Sequence, residues 1–195
     1  MAITISGVIL AGGAGKRFGG IIKSNLVVEG ETIISRILSV IDDIFEEKII
    51  VTNNPEEFRG LDKCRIIGDH YQKAGPLGGI HAALKSISAE ACFVFAGDMP
   101  FPDKKIIEDQ ILEFNKSEFD VLIPRVGKLI EPLHAIYRKS LLEELEKFLS
   151  GDKSRAVRDF LRDKNVGYLQ IPENATSRKA FANINSPSDV SKFIY

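Results

Sequence analysis

A short apolar run, Gly7-Val8-Ile9-Leu10-Ala11, ends abruptly in a segment with glycines at 12, 13, 15, 19 and 20 and with Lys16, Arg17 and Lys23 nearby in the chain. The run reads as a buried strand, so the glycines fall at its carboxyl end. Glycine tolerates positive φ and leaves space above the backbone, which lets successive N–H groups turn toward a single anion. With three cationic heads beside them, these residues read as a polyphosphate cradle. Two better-known glycine motifs do not fit. A P-loop needs Gly-Lys followed by Ser or Thr, with another glycine five residues earlier, whereas Gly15-Lys16 is followed by Arg17 and position 10 is Leu. A dinucleotide fingerprint from Gly13 needs its third glycine at 18, which is Phe, and an acidic residue after the second strand, where Thr52-Asn53-Asn54 stands. Hydride transfer is therefore not expected.

The rest of the chain supplies a frame for the cradle. Residues 48–52, 64–68, 91–96, 121–125, 132–137 and 166–171 read as strands, and 26–28 as a short extended piece. Ile33, Ile34, Ile37, Leu38, Ile41, Ile44 and Phe45 recur at helical spacing behind a capping Thr32. Further helices are expected over 77–88, 103–115, from about 141, over 154–163, and from Pro187. This alternation predicts a three-layer α/β/α architecture with a largely parallel sheet. At 195 residues and 44% hydrophobic content the chain has the apolar material for one core, and a single domain over 1–195 is expected. A formal net charge of −1, without any basic tract, offers no electrostatic footprint for nucleic acid or an anionic membrane. Cys64 and Cys92 lack metal-ligand spacing and read as small core side chains. No segment approaches transmembrane length and no leader pattern is present, so a cytoplasmic location is expected.

Ligands of such sheets sit beyond the carboxyl ends of the strands. Asp98 follows the apolar strand 91–96 and is a candidate ligand for Mg²⁺ held against a triphosphate; the competing reading is a cap. Asp69, after the third strand, has the same two readings. Gly75-Pro76-Leu77-Gly78-Gly79 either admits a flat ligand close to the backbone or is simply a helix entry. Asn183 and Asn185 alternate, so on an extended segment they point the same way, while Ser186 before Pro187 reads as an N-cap. His134 lies among apolar neighbours and faces either a site or the core; His70 and His81 read as surface or core residues. No Ser-His-Asp order, zinc pair or reactive-cysteine setting emerges, and the chemistry left is metal-assisted phosphoryl transfer.

In this order the segments 10–19, Lys23, 75–79, Gly97-Asp98-Met99-Pro100-Phe101, 132–137 and Asn183-Ile184-Asn185-Ser186-Pro187 resemble the molybdenum cofactor guanylyltransferases. The resemblance covers essentially the whole chain. The glycine loop is shared by many nucleotidyltransferases, whereas the Gly-Asp-Met-Pro and Asn-x-Asn-Ser-Pro segments narrow the match. It implies a Rossmann-like nucleotidyltransferase fold, and transfer of GMP from Mg-GTP to the terminal phosphate of molybdenum cofactor (molybdopterin) with release of pyrophosphate. By position it implies Leu10, Ala11, Gly12, Thr52 and Asp69 as nucleotide contacts, Lys23 as a phosphate ligand and Asp98 as the magnesium ligand. Molybdenum or tungsten enzymes would receive the product. Ile22 replaces a common Asp, Ser24-Asn25 a smaller or apolar pair, and Ser186 the usual Thr.

Because the attacking phosphate is already anionic at neutral pH, the expected work is positioning and charge neutralisation. Mg²⁺ on Asp98 would bring the α-phosphate into line. Amides around Gly13 and Gly15, with Lys16, Arg17 and Lys23, would hold the β- and γ-phosphates, which makes Arg17, Lys23 and Asp98 the expected catalytic set. Pro76, Leu77 and Gly78 are expected beside the base, and Asn183 and Asn185 on the acceptor side or at the reaction centre. Glycine at 12 or 13 leaves room for a purine, so GTP is expected over CTP. A sugar-1-phosphate nucleotidyltransferase and a non-catalytic nucleotide or pterin carrier are the rival readings.

Overall fold

The computed structural model describes residues 2–12, 22–71, 74–151 and 154–191. Their strands are β1 (Ile5–Leu10), β2 (Val27–Val28), β3 (Glu31–Thr32), β4 (Lys48–Val51), β5 (Arg65–Ile67), β6 (Ala91–Ala96), β7 (Val121–Val126), β8 (Leu129–Ile130), β9 (His134–Arg138) and β10 (Val166–Ile171). The helices are α1 (Ile33–Ile41), α2 (Pro76–Ser86), α3 (Lys104–Asn115), α4 (Leu142–Ser150), α5 (Val157–Phe160), α6 (Ala175–Ala180) and α7 (Pro187–Ser191).

One sheet runs β10-β7-β9-β6-β1-β4-β5, with β8 folded back on β7, and β2 and β3 form a separate hairpin. β5, β4, β1 and β6 are parallel, as are β7 and β10. β9 is inserted antiparallel between β6 and β7, and the short β8 also pairs antiparallel with β7. The expected parallel three-layer sheet is therefore present, with one reversed strand near its centre. β6 explains why it lies deep: all six of its residues are buried, and its side chains divide between two cores with period two. Cys92 and Val94 pack toward α2 and α4, whereas Ala91, Phe93 and Phe95 pack toward α1 and α3.

Several helix boundaries differ from the sequence expectation. α1 stops at Ile41, because Lys48 Nζ donates to the carbonyls of Asp42 and Phe45 and satisfies acceptors that another turn would have used. Ile44 and Phe45 follow in a turn, yet the Phe45 ring still lies edge-on to Phe95, 6.0 Å between centroids. The helix expected over 154–163 shortens to α5 followed by a 3-10 turn over Leu161–Asp163. α6 was not foreseen from the sequence. It is started by a reciprocal box in which Asn174 Oδ1 accepts from Ser177 N and Ser177 Oγ accepts from Asn174 N. Cys92 is fully buried and its thiol is pushed up to about 12 by loss of solvent, so it is inert. Cys64 is only half-buried, at the edge of the core rather than in it.

Candidate active site

The site begins where β1 and β6 end side by side. Gly97 N donates to Leu10 O at 3.0 Å. A Cβ on Gly97 would lie 2.7 Å from that same oxygen, so only glycine permits the approach. The turn that follows is pinned on both flanks: Met99 N donates to Ala96 O, and Ile184 N donates to Asp98 O at 2.8 Å. Arg36 Nε reaches Pro100 O at 3.1 Å from α1. Asp98 is thereby held at the carboxyl edge of the sheet. Lys23 faces it from a short 3-10 turn, Lys23–Asn25, its Nζ 2.9 Å from Asp98 Oδ2 and 2.7 Å from Asn185 Oδ1. Residues from three distant parts of the chain converge on this one ammonium.

A second line of bonds builds the rim. Ala11 N donates to Val51 O, and the buried Thr52 Oγ1 donates to Ala11 O at 3.3 Å while accepting from Asn54 N. Asn53 Oδ1 accepts from Asp69 N at 3.1 Å. The Asp69 carboxylate in turn accepts from Tyr71 N and lies against the first turn of α2, where a methyl on Gly78 would strike it. An acidic group there is favoured by the helix dipole, although burial pushes its carboxyl above the usual range. Gly75, at φ +60°, makes the sharp entry into α2, with Pro76 at the first helical position.

These groups enclose a cavity of about 370 Å³, within the range of small-molecule sites. Its wall includes Leu10, Ala11, Gly12, Thr52, Asp69, Pro76, Lys23 and Asp98, all expected from the sequence. It also includes Ile22, Ser24, Asn53, Gly97 and Leu133, which were not assigned site roles. Asn53 was visible as a polar residue at a strand end; Ser24 stood out only as a departure from the family pattern, and Leu133 only as part of the segment 132–137. Two expected residues stand elsewhere: Leu77 is fully buried in the core beneath α2, and Gly78 is covered by Asp69 rather than by the cavity. Gly13, Gly15, Lys16 and Arg17 lie outside the described residues.

Asn183 and Asn185 are both exposed, with Ile184 buried between them, and they serve different spaces rather than one. Asn185 meets Lys23, whereas Asn183 lines a second cavity of about 410 Å³ with Pro124, Val126, Leu129, Glu131, Arg178 and Phe181. Glu131 accepts from Leu133 N, and its carboxyl is raised chiefly by burial and then by the Asp98 charge. Tyr137 Oη donates to Pro132 O at 2.7 Å and fixes the turn that carries Glu131 and Leu133.

The buried His134 is a core residue. Its Nδ1 pairs with Gln110 Oε1 at 3.0 Å, its ring lies edge-on to Phe93, Phe95 and Phe181, and burial depresses it to about 4. His81 is buried on α2 with Nε2 3.0 Å from Glu146 Oε1.

Among the described residues no group of three or more His, Cys, Asp or Glu side chains is placed to cage a metal ion. A carboxylate at the lysine end of this cavity, Asp98, with Asp69 on the opposite rim, is nevertheless a donor set that suits Mg²⁺, which keeps its waters and is commonly held by one or two carboxylates plus substrate phosphates. Asp98 fits that arrangement and does not fit a permanent structural metal site.

Comparison with known proteins identifies the family. Residues 7–167 match the model of the MobA-like NTP transferase domain. A probable molybdenum cofactor guanylyltransferase of Natranaerobius thermophilus is 35% identical over 97% of this chain and 95% of its own. One from Clostridium perfringens is 37% identical over 97% and 96%. The crystal structure of molybdopterin-guanine dinucleotide biosynthesis protein A from Archaeoglobus fulgidus superposes with a TM-score of 0.79 at 29% identity, covering 96% of this chain and 95% of that one. With the same fold, a matching family model and near full-length relatives, the chain belongs to the MobA-like NTP transferases.

Proposed function

We propose that this protein transfers GMP from GTP to the terminal phosphate of molybdenum cofactor and releases pyrophosphate. The observation that carries the reading is the Lys23, Asp98 and Asn185 cluster, which stands at the cavity that opens beyond β1 and β6. The nucleotide occupies the first cavity, with its base over Gly12, Pro76 and the Asp69 rim and its phosphates toward Lys23. The acceptor occupies the second cavity, whose Asn183 lies two residues, about 7 Å of extended chain, from Asn185. Lys23 neutralises charge on the outer phosphates, Asn185 holds the ammonium in place, and the glycine-loop residues Gly13, Gly15, Lys16 and Arg17, which follow β1 in the sequence, are the further donors this reading assigns to the phosphates. Mg²⁺, brought with the triphosphate and held by Asp98, would screen the α-phosphate against the incoming anion. The acceptor phosphate is ionised at neutral pH, so no side chain need act as a strong base. The whole chain works as one domain, a reading supported by the single sheet to which both cavities attach. Two free cysteines and no helix among the described residues long and apolar enough to cross a membrane favour a reducing, cytoplasmic setting. Molybdenum or tungsten enzymes would take the product.

Pyrophosphate release tests the proposal directly. GTP alone should give none, GTP with molybdenum cofactor and Mg²⁺ should give a stoichiometric yield, and Asp98→Asn should lose at least about 100-fold in rate while keeping the fold. Wild-type turnover and Mg²⁺ dependence in that variant would sink the role of Asp98; release with a sugar 1-phosphate in place of the cofactor would sink the acceptor.

A further inference from the structure

Ser24 is 1% exposed and its Oγ has no hydrogen-bond partner among the described residues. The other buried side-chain atoms in that condition are ring nitrogens of His81 and His134, each of which bonds through its second nitrogen. Ser24 therefore stands apart among the described residues, as a buried polar side chain left with no partner at all. A buried hydroxyl in that state has lost its solvation without a compensating bond, and such groups in native proteins call for an explanation. Ser24 cannot relieve the cost by turning outward, because its turn is closed by Asn25 N donating to Ile22 O and Leu26 N donating to Lys23 O. Its Cβ would stand 3.3 Å from a Cβ built on Gly97, which places it under the backbone that presents Asp98, and it lines the first cavity beside Lys23.

We propose that the Ser24 hydroxyl is a phosphate-positioning donor, unsatisfied in the free protein and satisfied by a non-bridging oxygen of the nucleotide's α-phosphate. The placement argues for the α-phosphate: Ser24 lies next in sequence to the lysine that meets Asp98 and packs on the glycine before it. A hydroxyl donor adds direction to the diffuse charge of Lys23, and a bond to an ionised oxygen is stronger than one between neutral groups. The desolvation cost is borne by the free protein and removed on binding, so the contact favours the complex twice. This inference rests on the nucleotide reading of the first cavity, though not on which base is bound.

Ser24→Ala is the test, read by affinity and by thermal unfolding of the nucleotide-free protein. The variant should melt at the wild-type temperature or above it, and should bind both GTP and GMP about tenfold more weakly, with guanosine affinity unchanged. A lower melting temperature in the free variant would mean that the hydroxyl has a structural partner, and would overturn the proposal. Unaltered GMP affinity, or an equal loss with guanosine, would overturn it as well. Repeating the series with CTP, CMP and cytidine separates the two claims: a phosphate-dependent loss confined to the cytosine series supports Ser24 while refuting the guanylyl assignment. Should Ser24→Ala fail to fold, Ser24→Gly, which also removes the hydroxyl and adds no bulk beside Gly97, carries the same comparison.

Discussion

Lys23 holds two acceptors, at 2.9 Å and 2.7 Å, that belong to the protein itself. When outer phosphates arrive, the ammonium exchanges those oxygens for theirs. Lys23→Ala should therefore weaken GTP binding by about 10- to 100-fold and GMP binding by much less, as isothermal titration would measure. Equal losses would move Lys23 to the α-phosphate or the ribose. Asn185→Ala should reduce turnover without unfolding the chain, since its side chain is exposed and bonds outward. Asn183→Ala should instead raise the cofactor concentration needed for half-maximal rate, with GTP affinity kept; a selective loss of GTP affinity would refute its place on the acceptor side.

At the scale of the elements, β1 and β6 illustrate what two glycines at strand ends each do. Gly97→Ala forces a methyl against Leu10 O and should lower stability by about 1–3 kcal/mol. Gly12→Ala meets no atom within 4 Å, so it should leave stability unchanged and act only on what fills the cavity. If the base is read there, competition between GTP and CTP shifts toward CTP; an unchanged ratio would place base recognition elsewhere. The strand ends and the glycine loop were legible because both depend on local patterns: an apolar run, a punctuating glycine, an acid after it. Thr32 was legible as a cap for the same reason, and it accepts a backbone N–H from Ser35 as expected; Asp103, read as the first residue of its helix, proves to be that helix's cap. β9's reversal was not legible, because its all-buried run reads alike in either direction. Leu77 was misplaced because a helix-entry motif carries no record of which way its second residue faces. Ser24 went unassigned because a hydroxyl in a polar loop looks ordinary until its burial is known.

The whole molecule carries a pH signature through His134, whose neighbours are Gln110, Phe93, Phe95 and Phe181, with Asp103 the charge felt most. In the folded chain it stays neutral down to about 4, whereas unfolded it gains a proton at about 6.5. Its contribution is thus complete above about pH 6.5 and is lost as pH falls toward 4, on the order of 3 kcal/mol in all. Urea unfolding at pH 7 and pH 5 should show His134→Gln losing about 2 kcal/mol less than wild type between the two conditions. Equal losses would mean that other groups set the acid limb. The bond from Lys23 to Asn185 spans 162 residues. At elongation rates of about 5–20 residues per second, roughly 10–30 s separate the synthesis of the two partners. During that interval a ribosome-bound chain carries an anion-binding loop without the amide that steadies its lysine, and without the segment that pins Asp98 from the other side. Competence for transfer is therefore a late event in the life of the polypeptide, so a translation product cut short before residue 185 would hold every strand of the sheet, with Lys23 and Asp98, and still lack the amide that completes the reaction centre.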